Sequence, residues 1–279
     1  MNQAVKAPSA VLDELGVSAP SEIIIEGIAE YCGATIVYEP LDGCEARILG
    51  SGDRAIITVN ANSPRPRQRF SAGHELGHWM RDRGKLAFSC TDNNLVRDWG
   101  DDNPERRANR YAADLLLPRR LFEAAARGLP PTFESVRRLA VMFETSLTAT
   151  AIRLAELGDA PAMIVCNDIQ GRRWFYRASL VPLWPLSKPG PNSEAARLLA
   201  GGFTRSGGPT TVDADEWIDH AGASKYTLIE DSTRTGSLVL SLLWWKDEQQ
   251  ILDLDDDAEA AAETPLSGHP SFGPRRGRR

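Results

Sequence analysis

The 279-residue chain lacks most of the marks of a specialised protein class. It has four cysteines, Cys32, Cys44, Cys90 and Cys166, and none forms a CxxC pair. That excludes a disulfide framework and a cysteine-type zinc site, and fits reduced thiols in a cytoplasmic protein. No apolar run approaches the ~20 residues needed to span a bilayer; the longest, Leu238–Trp245, is interrupted by Ser241. The first residues carry no basic stretch followed by an apolar one, so no secretory signal is expected. A net charge of −6, from 32 basic and 38 acidic residues, is not the footprint of a general nucleic-acid binder. What remains is an ordinary globular composition, 42% hydrophobic and 25% charged, which excludes a mainly disordered or fibrous chain. Histidine is scarce as well: there are four, and their placement is the most informative feature of the chain.

The pattern predicts an α+β protein. Residues 1–20 read as a flexible arm with a short helix near Ala10–Leu15. Ser21 is a plausible cap for a helix carrying Ile23, Ile24, Ile28 and Tyr31, which Gly33 stops. Strand candidates at Ala34–Tyr38, Ala46–Leu49 and Ala55–Val59, separated by turn residues, predict a small antiparallel sheet. Helices are expected over Arg67–Asp82, from Pro104 to the residue before Pro118, and over Arg119–Arg127. The pair Phe133–Phe143 and Leu147–Leu157, with Thr132 as the first cap, has helix-turn-helix proportions, yet its second helix offers only Arg153 as a base. Periodicity turns strand-like after Gly158–Pro161, and Ala162–Cys166 and Arg173–Ala178 flank a hairpin turn. The acidic run Asp253–Glu263 and the Arg-rich end are expected to be disordered. The divisions are therefore 1–20 (arm), 21–128 (core), 129–158 (helical segment), 160–250 (C-terminal α+β module) and 253–279 (tail).

Two of the four histidines fall in His74-Glu75-Leu76-Gly77-His78. On a helix, residues i and i+4 share a face, so two imidazoles there can bind one zinc ion. The glutamate between them is placed to take a proton from the attacking water and return it to the leaving amine. Gly77 costs about 1 kcal/mol in a helix interior relative to Ala, which makes sense if another backbone or the substrate comes close. A catalytic zinc needs a third protein ligand. Glu105 is the acid held on regular structure, with Asp101 and Asp102 as the fallback. Asn109, one turn beyond Glu105, could accept from the spare N–H of a ligating imidazole, and Ala108, Ala112 and Ala113 would let the two helices approach closely.

The segments RQRFSAGHELGHWM and ERRANRYAADLLLP resemble the ImmA/IrrE family of zinc metallopeptidases. Tyr111 stands where that family usually has Phe, and Leu117 where it has Met. The resemblance covers roughly residues 20–157. It implies a small gluzincin-like core, His74, His78 and Glu105 as metal ligands, Glu75 as general base, and Zn2+ as cofactor, with Mn2+ or another divalent ion able to substitute. It also implies a cytoplasmic endopeptidase that cuts an Xre-type helix-turn-helix repressor, switching on stress-response or mobile-element genes. A GAF-like domain ends one branch of the family. Residues 160–250 could be its counterpart, a regulatory module open to a small-molecule or protein effector. Tyr111, His220 and Tyr226 are candidates to assist the oxyanion. The alternative is a zinc-stabilised protein that sequesters a regulator, or binds DNA, without cutting; an intact Glu75 argues against the first and the acidic chain against the second.

Overall fold

The computed structural model describes residues 6–82, 88–89, 103–201, 207–220 and 222–263. The N-terminal sheet holds β1 (Ala34–Glu39), β2 (Ala46–Ser51), β3 (Arg54–Asn60) and the short β4 (Phe88–Ser89), in the order β1-β3-β2-β4. The first three strands turn Ala34, Ala46, Ile48, Ala55, Ile57 and Val59 inward, with clean alternation along the first half of β2. The sheet is mixed rather than antiparallel. β2 and β3 form a hairpin over Gly52, whose φ of 59° suits the tight turn, while β1 pairs with the far side of β3 and runs parallel to it. Ahead of the sheet lie α1 (Pro8–Glu14), a 3-10 turn at Pro20–Glu22 and α2 (Ile25–Tyr31). Ser21 is thus part of that turn and not a helix cap; Ile24 occupies the cap position of α2.

After the sheet's third strand, the described residues form the helices α3 (Arg65–Asp82), α4 (Pro104–Leu116), α5 (Arg119–Ala126), α6 (Phe133–Phe143) and α7 (Leu147–Leu157). α3 lies on the sheet. The indole N–H of Trp79 donates to the Cys32 carbonyl (2.9 Å), and its ring fills the space where Gly50 lacks a side chain. α4 begins as expected, with Pro104 at its first turn and Asn103 accepting from the Glu105 N–H. Thr132 and Ser146 cap α6 and α7, and Glu144, in the left-handed region at φ 52°, ends α6.

The expected loose arm is, from residue 6 onward, docked. Val11, Leu12 and Val17 are buried, α1 packs against α4, and Arg120 donates to the Val17 carbonyl (2.9 Å). Three apolar side chains suffice to seat this short segment, which its polar neighbours had masked. Residues 1–5 lie outside the described residues.

The C-terminal half is built on β5 (Ala162–Asp168), β6 (Gly171–Arg177), β7 (Thr210–Asp213), β8 (Thr227–Thr235) and β9 (Leu238–Trp244), an antiparallel sheet in the order β6-β5-β9-β8-β7. One face, with Ile164, Cys166, Leu240 and Leu242, packs under α6 and α7 and joins the core of the N-terminal half. The other, with Met163, Val165, Val239 and Leu243, holds a second core with Trp184, Trp217 and Trp245, covered in part by α8 (Glu194–Leu199) and α9 (Gln249–Glu263). The first core therefore does not stop at Gly158–Pro161. The expectation of disorder from residue 253 is corrected for 253–263. Ile251 and Leu254 are buried, Asp255 accepts from the Trp184 indole (3.0 Å), and Asp257 accepts from Lys225 and Tyr226. Counting acids hid an apolar pair three residues apart on one helix face. Residues 264–279 lie outside the described residues.

Candidate metal centre

α3 and α4 pack at unusually short range because the facing residues are small. A Cβ on Gly73 would lie 3.3 Å from Ala112 Cβ, and one on Gly77 would lie 3.1 Å from Ala108 Cα. This close approach brings α4 under the face of α3 that carries His74 and His78. His74 Nε2 and His78 Nε2 are 3.1 Å apart. Glu105 reaches both, with Oε2 3.2 Å from His74 Nε2 and Oε1 3.3 Å from His78 Nε2. A tetrahedron with metal–ligand bonds of about 2.0–2.1 Å has edges of roughly 3.3–3.4 Å, so the spacing of these three groups fits one small divalent cation.

Electrostatics favour the same reading. His74 Nδ1–H donates to Asn109 Oδ1 (2.9 Å), which fixes the tautomer and leaves the Nε2 lone pair facing Glu105. Burial, with His78 adding to it, holds His74 below the usual imidazole range, so its ring is neutral and able to ligate. Glu75, between the two histidines on the same helix, is almost completely buried.

The residues singled out in the sequence thus divide clearly. His74, His78, Glu105 and Asn109 meet, and the first three are the one group of metal-ligating side chains of this kind among the described residues. Asp101 and Asp102 lie outside the described residues. Tyr111 is buried on α4 against Gly77. The Tyr226 hydroxyl is engaged by Asp257, and His220 Nδ1 accepts from the Gly222 N–H, both within the C-terminal half. Gly73 was missed; the signal was a second glycine four residues before Gly77, opposite alanines also four apart. Arg153 is not offered to a nucleic acid. It is buried, and donates to the Leu117 carbonyl (2.9 Å), Asp114 (2.8 Å) and Glu156 (2.8 Å).

Residues 29–155 match the family model Peptidase_M78, described as the IrrE N-terminal-like domain. The chain carries an IrrE N-terminal-like domain. His74, Glu75, His78, Glu105 and Asn109 all fall within it. Among solved structures, a Mycobacterium tuberculosis transcriptional regulator is similar in fold, with a TM-score of 0.60 at 14% identity over 94% of this chain and 79% of that one. That likeness takes in the C-terminal sheet as well as the IrrE-like domain. No curated protein matches the sequence significantly. No helix among the described residues is long and apolar enough to cross a membrane.

Proposed function

We propose that this protein is a cytoplasmic, zinc-dependent endopeptidase that cuts an Xre-type helix-turn-helix repressor at a defined site and so releases stress-response or mobile-element genes. The observation that carries the reading is the convergence of His74, His78 and Glu105 at tetrahedral spacing, one residue from a buried carboxylate. His74, His78 and Glu105 are the ligands in this reading and Glu75 is the general base. A divalent ion held there supplies Lewis-acid polarisation of the scissile carbonyl and lowers the pKa of the attacking water; Mn2+ or a similar ion would serve in place of zinc. Glu75 accepts the proton of that water and returns it to the departing amine. Its burial keeps the carboxylate free of competing solvent, and Asn109 holds the His74 ring so that its lone pair points at Glu105. A Glu in the middle of the motif favours cleavage over mere sequestration, because a structural site has no use for a base. The C-terminal half, from residue 160, is read as the regulatory part, where a small molecule or a protein effector acts.

The test is cleavage of a repressor encoded beside this gene, with metal content measured on the same samples. Glu75→Gln should keep the metal and lose cleavage. Glu105→Gln should lose both. Cleavage at wild-type rate by Glu75→Gln would exclude the mechanism. Full metal occupancy in Glu105→Gln would displace the third ligand to Asp101 or Asp102.

A further inference from the structure

β6 is an edge strand of the C-terminal sheet, and its pairing with β5 fixes which of its backbone groups face outward. The Ala178 N–H donates to the Ala162 carbonyl. In an antiparallel register the bonded pairs alternate, so Ile164 and Tyr176 exchange bonds, while Phe175 and Arg177 turn their N–H and C=O away from β5. Among the described residues nothing bonds those outward groups.

The strand's side chains are as unusual as its edge. Arg172-Arg173-Trp174-Phe175-Tyr176-Arg177 sets arginines around three consecutive aromatics. Arg172 and Arg173 are exposed, and the aromatics are half-buried, Trp174 and Tyr176 leaning on the first core and Phe175 on the second. The arginines are held in place without being neutralised. Arg172 donates to the Leu186 carbonyl (3.0 Å) and lies over the Phe175 ring, Arg177 donates to the Val181 carbonyl, and among the described residues only Arg173 of the three approaches a carboxylate, Asp168 at 3.5 Å.

We propose that β6 is a docking edge for an extended, acidic segment of a protein partner, which adds to the sheet as a sixth strand. The main-chain groups of Phe175 and Arg177 would bond the added strand, and its alternate side chains would meet the arginines and cover the half-exposed aromatics. The occupant is acidic because of charge. A second copy of β6 would bring three arginines against three, which repels edge-to-edge pairing, whereas a carboxylate-bearing strand is attracted. Arginine and aromatic residues together also suit single-stranded nucleic acid. The outward N–H and C=O groups of Phe175 and Arg177 match a peptide backbone and have no such partner in a nucleic-acid strand, which favours the peptide. The docking edge is independent of the peptidase reading, since it requires neither metal nor cleavage.

The experiment uses the full-length, metal-free protein and a fluorescein-labelled nine-residue peptide of alternating glutamate and valine, followed by anisotropy at low and high salt. Saturable binding that weakens with salt is expected. The same peptide with lysine for glutamate should not bind. Arg172→Ser/Arg173→Ser, which removes two exposed side chains, and Arg177→Pro, which deletes one outward N–H at an edge position that tolerates proline, should each weaken binding about tenfold, roughly 1.4 kcal/mol. Circular dichroism and melting confirm that each variant is folded; if Arg177→Pro is not, the arginine pair decides. Three results would overturn the proposal: no saturation by about 1 mM peptide, equal binding by the folded variants, or binding of a labelled oligothymidylate that these variants lose while the peptide is ignored.

Discussion

Gly77 and Ala108 sit backbone to backbone: a Cβ on Gly77 would come 3.1 Å from Ala108 Cα and 3.2 Å from its carbonyl oxygen. The glycine tolerates a helix-interior penalty because the α3–α4 distance, and with it the reach of Glu105 to both histidines, depends on the missing methyl. Gly77→Ala should therefore lower stability by about 1–3 kcal/mol through overpacking despite the better helix propensity of alanine, and should weaken metal binding. Denaturant unfolding and competition with a chromophoric chelator measure both. A variant stabilised by about 1 kcal/mol with unchanged metal affinity would show that the close approach is not needed.

Asn109 should act on the metal through His74. Asn109→Leu removes the acceptor for His74 Nδ1–H and leaves the ring free to turn. Loss of such a supporting partner typically costs about 10–100-fold in metal affinity. The melting temperature of the metal-free protein should fall much less than the affinity does. If chelator competition gave the wild-type constant, the tautomer would be held by something else.

Arg153 should be a folding residue with no part in nucleic-acid binding. Its guanidinium ties α7 to Asp114 and to the Leu117 carbonyl at the end of α4. Arg153→Met leaves the Leu117 carbonyl without this donor and Asp114 with only the longer contact to Arg110, and should cost roughly 3 kcal/mol. The neighbouring Arg138, exposed on α6, should be replaceable by alanine within about 0.5 kcal/mol. Equal, small effects in urea titrations would contradict the network.

Truncation after Leu252 should be destabilising, contrary to what composition alone suggests. It removes Leu254, fully buried, and the Asp255 that receives the Trp184 indole N–H. Burial of one leucine is worth about 1.5–3 kcal/mol, so the melting temperature should drop by several degrees. An unchanged melting curve would mean that α9 contributes nothing to the second core.

The elements legible in the sequence were those with strong local signals. Both edges of α6 and α7 follow from Thr132, Ser146 and the apolar repeat; the hairpin β5–β6 follows from its turn, and the histidine pair from its spacing. Glu105, the proposed third ligand, stood out as the acid held on regular structure. Less legible were features set by contacts far along the chain. Nothing near residue 40 says that β1 crosses to run parallel with β3. α1 and α9 are each anchored by two or three apolar side chains, too few to stand out against polar or acidic neighbours. β7, four residues long, was missed because its pairing with β8 is its whole support. Arg153, a lone arginine on the second helix of the pair, argued against a DNA reading, but only its burial shows its partners to include α4.

The buried carboxylate of Asp231 on β8 accepts from the Phe133 N–H at the start of α6 (2.7 Å), while the far end of α6 offers the Phe143 carbonyl to Arg69 of α3. The brace behind the histidine helix is thus anchored in a strand made much later on the ribosome. All proposed ligands have emerged by the end of α4, yet the start of α6 lacks its Asp231 partner until β8 exists. A nascent chain that has just passed residue 160 would hold all the proposed ligands without the strand that anchors the brace behind the histidine helix. Ribosome-arrested chains of that length should be cut rapidly by added protease, and resistance should appear only once β9 has cleared the exit tunnel. Built in this order, the histidine helix gains its full brace only after β8 has been made.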